Sequence, residues 1–591
     1  MAVGISVKKV DFTYKTDEGE DTSVKALNGI SLEVETGSYC AVLGPNGSGK
    51  STLAKVIDVL EFPDNGTVAV LGYEGKNDED CYKIRERCAY VFQNPDNQIV
   101  GTIVEEDVAF GPENLGVPLP ELRQRVDEAL KYVGLYELRD RQAASLSGGQ
   151  KQKLAIAGAL AMRPKLLILD ESTAMLDPIS RDEFLDLVEQ MRTDKGITVL
   201  TITHDMNEAA RCEKIFVVEY GQVTMSGTPS EIFSHPEKII KAGLELPPDI
   251  SLVNEMSKAT GNKITEEDIK DQRSRINTAI RFAKNASEAP AMNLPEERKK
   301  GRKILEISDL SHSYDSGKTF ALEHINLDVY EGEILAIVGK SGCGKTTLIS
   351  PLNGIIRPQS GDVRLLLESG EVLSTTRKKD IKGIRQKVGL VFQYPEYQLF
   401  EETVEKDIAY GLIKMNTPGV NREGRVKAAA LLSGLTEDIL TRSPFELSGG
   451  QKRRAALAGV LVMKPQILVL DEPAAGLDPL GRKEMFETIL ALRETGTTII
   501  LVSHNMDEAA RYADRIFCIS RGREAACGKP SELFENEGKA KSYGLSLPLL
   551  YKFSSQVKEA LSKDYPGIDV LPPYPDAQNE AASIIRSAMK C

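Results

Sequence analysis

The feature that most constrains this chain is a repeat as long as a whole domain. Four short motifs occur twice, in the same order, with about 300 residues between the copies. The pairs are GPNGSGKST at 44–52 and GKSGCGKTT at 339–347, LSGGQ at 146–150 and 447–451, LDE at 169–171 and 470–472, and TH at 203–204 with SH at 503–504. Solenoid repeats have periods of roughly 20–50 residues, so this spacing predicts two homologous domains fused in one polypeptide.

Composition places the chain among soluble multidomain proteins. It has 591 residues, of which 41% are hydrophobic and 27% charged, values that are ordinary for globular domains. No run of about 18 apolar residues is present, so no segment is expected to span a bilayer. The first residues, MAVGISVKKVDF, lack the layout of a secretory signal. We therefore expect a cytosolic protein.

Charge and cysteine usage exclude two further classes. The formal net charge of −13 argues against a general nucleic-acid binder, which needs a basic face to neutralise phosphates. The eight cysteines are scattered without a CxxC pair. Neither a disulfide lattice nor a cysteine metal site is therefore indicated.

The glycine-rich stretches predict two phosphate-binding loops. Each follows a short apolar run of strand type and precedes a stretch of helical character, the context in which GxxxxGK[ST] is credible. Backbone N–H groups and the helix N-terminus favour an anion there. Lys50 and Lys345 can reach the β- and γ-phosphates of a nucleotide, while Ser51 and Thr346 can ligate Mg²⁺. The predicted ATP-binding residues of these loops are Gly44, Asn46, Gly47, Gly49, Lys50, Ser51 and Thr52, and Gly339, Ser341, Gly342, Gly344, Lys345, Thr346 and Thr347.

Two carboxylates follow a buried-type strand in each copy. The runs LLIL and ILVL suit central parallel strands, whose carboxyl ends are where ligands bind in open α/β sheets. Adjacent strand residues point to opposite faces, so the two acids can play different parts. We expect Asp170 and Asp471 to hold the Mg²⁺ shell, and Glu171 and Glu472 to orient or deprotonate the attacking water.

A histidine ends another apolar strand in each copy. His204 and His504 occupy equivalent places, although the chain has only five histidines. We expect these two to contact the γ-phosphate. The other three, His235, His312 and His324, lack such support and are interpreted as surface or core residues.

Together these motifs resemble the ATP-binding cassette (ABC) ATPases, over residues 4–235 and 303–535. The resemblance implies an α/β fold with two P-loop ABC nucleotide-binding domains in tandem, each with a helical subdomain and a small C-terminal helical extension. It also implies ATP and Mg²⁺ as cofactors. In that family LSGGQ binds the γ-phosphate of ATP held by the opposite domain. Ser448 and Gly450 would complete the site of Lys50, and Ser147 and Gly149 that of Lys345, so that the two halves pair with each other.

Further site residues follow from the same resemblance. Tyr14 and Tyr314 lie where the family has its adenine-stacking aromatic residue. Gln93 and Gln393 match the glutamine that reaches both Mg²⁺ and the membrane partner, and are candidate catalytic and metal residues. Both halves therefore look catalytically complete. Met175, where small residues are usual, is a mild departure, and so is a cysteine in the second phosphate loop, predicted to be oxidation-sensitive.

The segments that begin at these glutamines are more specific. QNPDNQIV at 93–100 and QYPEYQLF at 393–400 are followed by TIVE at 102–105 and TVE at 403–405. These segments resemble the paired ATPases of energy-coupling factor (ECF) transporters. In that family the segment accepts a coupling helix from a transmembrane scaffold (T-type) protein, and a separate S-type membrane protein chooses the substrate. Acidic and aromatic side chains can grip a helix that bears arginines; the alternative is a variable surface loop.

The predicted function is an ATP-hydrolysing subunit of an ECF-type importer for a vitamin or transition-metal ion, peripheral at the cytoplasmic face of the membrane. Two alternatives stay open: a soluble tandem ABC ATPase acting on ribosomes, and a tandem sugar-importer ATPase. The predicted domains are 1–240 and 303–535, with extensions at 241–302 (including a polar linker) and 536–591. GLELP and GLSLP recur in the extensions, which favours a shared dimerisation element over additional packing surface.

Overall fold

The computed structural model describes residues 2–14, 23–174, 176–292, 300–314, 320–415, 421–564 and 573–589. Position 175 and part of the predicted linker lie outside this range. The chain divides into two compact units. Unit 1 comprises Met1–Ala289 with Asp478–Leu480 and Ala588–Cys591, and unit 2 comprises Pro290–Leu477 and Gly481–Ser587.

Unit 1 contains two sheets, a three-stranded antiparallel sheet of order β2-β1-β4 and a six-stranded sheet of order β5-β6-β7-β3-β8-β9. In the larger sheet only β9 runs antiparallel to its neighbour. Strands β3, β6 and β7 are buried at every position, as expected for apolar runs covered on both faces. The strands are β1 (Val3–Tyr14), β2 (Val24–Glu35), β3 (Tyr39–Leu43), β4 (Asn65–Val70), β5 (Cys88–Val91), β6 (Leu166–Asp170), β7 (Thr198–Ile202), β8 (Lys214–Glu219) and β9 (Gln222–Gly227).

Twelve α-helices of unit 1 lie within the described residues. The phosphate loop leads into α1, and α3, α4 and α5 pack together as a helical subdomain. The last three form the C-terminal extension, in which α10 and α11 pack against α12. The helices are α1 (Lys50–Ile57), α2 (Asp78–Arg87), α3 (Val104–Asn114), α4 (Leu119–Tyr132), α5 (Gly148–Ala161), α6 (Pro178–Lys195), α7 (Met206–Ala209), α8 (Pro229–Phe233), α9 (Pro236–Lys241), α10 (Pro248–Thr260), α11 (Glu266–Ile269) and α12 (Gln272–Asn285).

Unit 2 repeats this plan with one additional edge strand. Its sheets have the orders β11-β10-β13-β14 and β15-β16-β17-β12-β18-β19. The strands are β10 (Lys303–Ser313), β11 (Phe320–Tyr330), β12 (Ile334–Val338), β13 (Ser360–Leu366), β14 (Val372–Ser374), β15 (Val388–Val391), β16 (Ile467–Asp471), β17 (Thr498–Val502), β18 (Arg515–Ser520) and β19 (Arg523–Gly528).

The helices of unit 2 follow the same order, and α15, α16 and α17 pack together as α3, α4 and α5 do. The extension carries a buried ion pair between Lys558 and Glu580, at 2.7 Å. The helices are α13 (Lys345–Ile349), α14 (Ile381–Lys387), α15 (Val404–Met415), α16 (Arg422–Leu432), α17 (Gly449–Leu461), α18 (Pro479–Glu494), α19 (Met506–Tyr512), α20 (Pro530–Leu533), α21 (Glu537–Ser542), α22 (Leu549–Asp564) and α23 (Ala577–Met589).

The fold class predicted from the sequence is confirmed: two α/β nucleotide-binding domains in tandem, each with a helical subdomain and a small helical extension. Across the described ranges, no helix has the length and apolar character needed to cross a membrane.

Candidate active site

The phosphate loop of unit 1 connects β3 to α1 and closes around its own lysine. Gly49 caps α1 with a φ of 99°, and a Cβ on it would lie 2.4 Å from the carbonyl oxygen of Ala26, so glycine is required there. Lys50 Nζ donates to the carbonyl oxygens of Gly44 and Pro45, both at 2.9 Å. Burial lowers the pKa of Lys50, opposed by the charges of nearby carboxylates.

The phosphate loop of unit 2 has the same construction. Gly344 caps α13 with a φ of 110°. Lys345 Nζ donates to the carbonyl oxygens of Gly339 and Lys340, at 2.8 and 3.1 Å. The other predicted loop residues lie in these loops or in the first helical turn after them: Gly44, Asn46, Gly47, Ser51 and Thr52 in unit 1, and Gly339, Ser341, Gly342, Thr346 and Thr347 in unit 2.

The cysteine of the second loop, Cys343, is buried, and burial raises the pKa of its thiol. Since the thiolate is the reactive form, this site disfavours the oxidation sensitivity predicted from the sequence.

In each unit, two of the three predicted metal residues are in contact. Ser51 Oγ donates to Asp170 Oδ1 at 3.0 Å, and Thr346 Oγ1 donates to Asp471 Oδ2 at 3.1 Å. A hydroxyl beside a carboxylate offers the hard oxygen ligands that Mg²⁺ prefers, with phosphate oxygens supplying the rest. This donor set fits Mg²⁺. No group of three or more His, Cys, Asp or Glu side chains in the described parts of the chain could hold a metal by itself.

The two aspartates differ in their surroundings. Asp170 also accepts a hydrogen bond from the hydroxyl of Tyr90, at 2.7 Å. The equivalent position in unit 2 is Leu390. Burial raises the pKa of Asp170, and burial together with the charge of Glu472 raises that of Asp471 to about 6. Sequence analysis missed Tyr90, since its contact spans 80 residues and no motif includes it.

Glu171 lies at the end of β6 in a left-handed backbone conformation, with a φ of 47°. Its Oε2 accepts from Gln93 Nε2 at 2.9 Å, and its Oε1 lies 3.4 Å from Nδ1 of His204. Burial would raise the pKa of Glu171, but the interactions with His204 and Lys50 outweigh it and hold the pKa below its usual value. A residue kept in such a conformation is frequently found at a functional site.

Glu472 repeats this geometry, with a φ of 50°. Gln393 Nε2 donates to Oε2 at 2.8 Å, and Nδ1 of His504 lies 3.0 Å from Oε1. Its pKa is also lowered, because His504, Lys345 and Gln393 together outweigh the effect of burial. The structure thus brings together the glutamine, glutamate and histidine that the sequence singled out in each copy.

A buried carboxylate behind the histidine was not predicted. Glu208 accepts hydrogen bonds from the hydroxyls of Thr173, Thr201 and Thr203, at 2.8, 2.6 and 3.0 Å. Thr173 follows β6 and Thr203 precedes the histidine, so Glu208 connects the loops that carry the glutamate and the histidine. Acidic residues are common near helix N-termini, so the sequence alone gave no reason to single out Glu208.

The predicted stacking tyrosines lie beside the first turn of the phosphate-loop helices. The hydroxyl of Tyr14 is 3.3 Å from Thr52 Oγ1, and that of Tyr314 is 3.3 Å from Thr347 Oγ1. Both rings are exposed, by 37% and 68%, and therefore have an accessible face.

The LSGGQ segments begin α5 and α17. Ser147 Oγ accepts from Gln150 N at 3.3 Å, and Ser448 Oγ accepts from Gln451 N at 3.3 Å. Each glutamine side chain in turn accepts from the serine N–H at 3.0 Å, which completes a capping box. The predicted Gly149 and Gly450 lie in the first helical turn, where N–H groups favour an anion.

Comparisons with known proteins find relatives that span both units. The sequence model described as ABC transporter matches residues 27–174 and 322–475. A provisionally named ABC transporter ATP-binding protein of Caldanaerobacter subterraneus is 33% identical, over 94% of this chain and 96% of its own length. A provisionally named HMP/thiamine import ATP-binding protein of Bacillus subtilis is 31% identical, over 94% and 97%. The energy-coupling factor transporter ATP-binding protein EcfA1 of Clostridium perfringens is 49% identical, over 43% of this chain and 90% of its own length. This chain belongs to the ABC transporter family, as two ATP-binding cassettes in tandem that hydrolyse ATP to power transport.

Proposed function

We propose that this chain is the energy-coupling ATPase of an ECF-type importer for a vitamin or transition-metal ion. The observation that carries the proposal is the pair of segments 93–100 and 393–400, which are built alike on the two units. Each has a proline-led 3₁₀ turn, Pro95–Asn97 and Pro395–Gln398. Each ends where an aspartate of the next helix accepts two backbone N–H groups.

The side chains of these segments suit a helical partner. Tyr397, Phe400 and Val100 are exposed by 79%, 56% and 62%, and so offer apolar surface that a partner helix would cover. Acidic groups at Asp96 and Glu402, exposed by 62% and 81%, lie near them in sequence. An amphipathic helix with basic residues would cover the apolar groups and pair with the acids.

The first residue of each segment also contacts the proposed catalytic glutamate. Gln93 opens the first segment and holds Glu171, and Gln393 opens the second and holds Glu472. A shift of either segment on partner binding would therefore move the carboxylate that faces the attacking water. This link supplies a physical route from docking to hydrolysis.

The proposed chemistry follows from the residues of each unit. Lys50 and Lys345 neutralise the β- and γ-phosphates of ATP, and Tyr14 and Tyr314 stack on its adenine. Asp170 with Ser51, and Asp471 with Thr346, would hold Mg²⁺, which would supply charge neutralisation on the phosphates. The set is completed by His204 and His504 toward the γ-phosphate and by Gln93 and Gln393 toward the Mg²⁺ shell.

At the attacking water, Glu171 and Glu472 act as the base. Their depressed pKa values keep the carboxylates ionised at neutral pH, ready to accept a hydrogen bond from that water.

We further propose that the two cassettes pair with each other within the chain to form two composite sites, with Ser147, Gly149, Ser448 and Gly450 each serving the opposite cassette. The covalent connection raises the effective concentration of one cassette near the other. The division into cassettes 1–240 and 303–535 with extensions 241–302 and 536–591 belongs to the same proposal. So do the T-type and S-type membrane partners and a peripheral position at the cytoplasmic face of the membrane.

Affinity purification from gently solubilised membranes tests the proposal. The full chain should retain a multi-helix scaffold and one or more small membrane binders, identified by mass spectrometry. A variant with Tyr397→Glu and Phe400→Glu should lose them while keeping ATP hydrolysis. As a matched control, Tyr220→Glu alters a tyrosine that is 89% exposed in the turn between β8 and β9 and should retain the partners. Co-purification of ribosomal proteins alone, or of a sugar-type transporter, would refute the ECF assignment without affecting the ATPase family.

A further inference from the structure

A buried arginine in unit 2 connects the segment 393–400 to the catalytic loop. Arg453 lies in α17 and is 7% exposed. Its Nη1 donates to the carbonyl oxygens of Ala475 and Pro473, at 2.5 and 3.4 Å. Its Nη2 lies 3.6 Å from Glu396 Oε1. One guanidinium therefore touches two elements besides its own helix.

The loop that it holds carries the proposed base. Pro473 to Ala475 follow Glu472 directly, and Ala475 N donates back to the carbonyl oxygen of Glu472 at 3.1 Å. The turn is therefore fixed from both sides, by Arg453 at its carbonyls and by Glu472 at its N–H. A displacement of Arg453 would move this turn, and with it the carboxylate of Glu472.

The contact with Glu396 can become tighter. Charge-assisted N–H···O bonds have lengths of about 2.7–2.9 Å, whereas Nη2 of Arg453 and Oε1 of Glu396 are 3.6 Å apart. Nε of Arg453 and Oε2 of Glu396 are both buried without a hydrogen-bond partner among the described residues. A buried charge is stabilised only when its hydrogen-bonding groups are fully paired, because this offsets its lost hydration. A small inward movement of the turn Pro395–Gln398 would thus be favourable and would pull on the guanidinium.

Among the described residues of unit 1 this connection is absent. The equivalent residue is Gln152, which is fully buried and donates to the backbone carbonyl of Gln93 at 3.3 Å. Asp96, the counterpart of Glu396, is 62% exposed and pairs with Lys151 at 2.6 Å, at the surface. The first segment is therefore held to α5, and no contact like that of Arg453 joins it to the described residues of the loop after Glu171.

We infer that Arg453 is a positioning residue for hydrolysis in the second cassette, which transmits the position of segment 393–400 to Glu472, and that the described residues of the first cassette provide no equivalent. The inference rests on the role of Glu472 in the proposed function. It makes the two cassettes unequal: movement of the docking segment adjusts the catalytic carboxylate through two contacts in unit 2, Gln393 and Arg453, and through one in unit 1, Gln93.

The test is steady-state ATP hydrolysis by the purified full chain carrying Arg453→Gln, the residue that unit 1 has naturally. Loss of either base alone is expected to remove most turnover, so a misplaced base in one cassette should slow the whole chain. We therefore expect kcat per ATP-binding chain to fall about tenfold, with an unchanged KM because ATP binding is untouched. Arg454→Gln is the matched control. Arg454 is on the same helix, and it donates to the carbonyl of Gly434 and pairs with Glu484, away from the catalytic loop. Its kcat should stay within about twofold of the parent.

Two further variants separate positioning from folding. Glu396→Gln should lower kcat in the same direction, and adding it to Arg453→Gln should lower kcat no further, since both break one connection. If Arg453→Gln fails to bind ATP, Arg453→Lys replaces it. This variant keeps the charge but not the fork that reaches carbonyls and carboxylate together, and should show a kcat between parent and Glu472→Gln. An unchanged kcat in the ATP-binding variants, or a change confined to KM, overturns the inference. Retained hydrolysis in Glu472→Gln would instead count against the proposed base.

Discussion

The strongest test of the site is to replace both proposed bases with glutamine. Glu171→Gln and Glu472→Gln keep the size and shape of the side chain, so the amide of Gln93 or Gln393 can still donate to the new Oε1. What is lost is the negative charge and the ability to accept a proton. General-base catalysis contributes about 10²–10⁴-fold in rate, which corresponds to about 3–5 kcal/mol of transition-state stabilisation.

We expect each single variant to lose most turnover and the double variant to lose at least about 100-fold in kcat. ATP affinity should be close to that of the parent, because the phosphate loops and their lysines are untouched. The assay is phosphate release by the purified chain with Mg²⁺ and ATP, beside equilibrium binding of ATP. Glu86→Gln, a 44% exposed carboxylate at the end of α2 beside Arg87, controls for the loss of one charge and should be neutral.

The outcome that refutes the assignment is near-normal hydrolysis in both single variants and in the double variant. A parallel loss of ATP binding would also count against the assignment, since it would mean that the glutamates stabilise the phosphate loop rather than activate the attacking water. The depressed pKa values of both glutamates add a condition: an acid limb of the rate profile near pH 6 should not arise from them.

Three further predictions concern stability, metal and nucleotide. Burial raises the pKa of Asp58 from 3.8 to about 6, so the folded cassette loses stability as the pH rises through that window. Asp58→Asn copies Asn353 of unit 2, and it should raise the free energy of unfolding by up to about 3 kcal/mol above pH 7 and leave it unchanged near pH 4. Thermal unfolding across pH checks this, and an equal gain at both pH values would contradict it. Since the pKa of Asp471 is raised to about 6, the Mg²⁺ concentration for half-maximal activity should rise up to about tenfold per pH unit below pH 6, measured by magnesium titration; a pH-independent value would argue against this ligand. Tyr14→Ala and Tyr314→Ala should each raise the KM for ATP about tenfold through lost stacking while Phe variants do not, and equal effects of Ala and Phe would assign the role to the hydroxyl.

Much of the fold and site could be predicted because the informative residues are local. A glycine loop between a strand and a helix, or two acids at the end of an apolar run, is specified within about ten residues. Those stretches became β3 with α1, β12 with α13, β6 and β16. The residues that the sequence did not reveal act across long separations. Tyr90 reaches Asp170 over 80 residues, and Arg453 reaches the loop after β16 over 20 or more. Their roles depend on tertiary packing, for which a single sequence has no local signal.

The duplicated chain is most alike at the groups proposed to face ATP and least alike in the groups behind them. Both units hold a lysine, a hydroxyl–aspartate pair and a glutamine–glutamate–histidine set in the same geometry. Behind them Tyr90 is replaced by Leu390, and Gln152 by Arg453. The reaction restricts which residues the first set can contain, because phosphate and water must be bound in the same way in both cassettes. We propose that the second set adjusts charge and coupling rather than contacting the nucleotide, so the two copies can diverge there. Fusion in one chain keeps such unlike cassettes in a fixed one-to-one ratio. Two separate subunits would not guarantee this ratio, because each could pair with a second copy of itself.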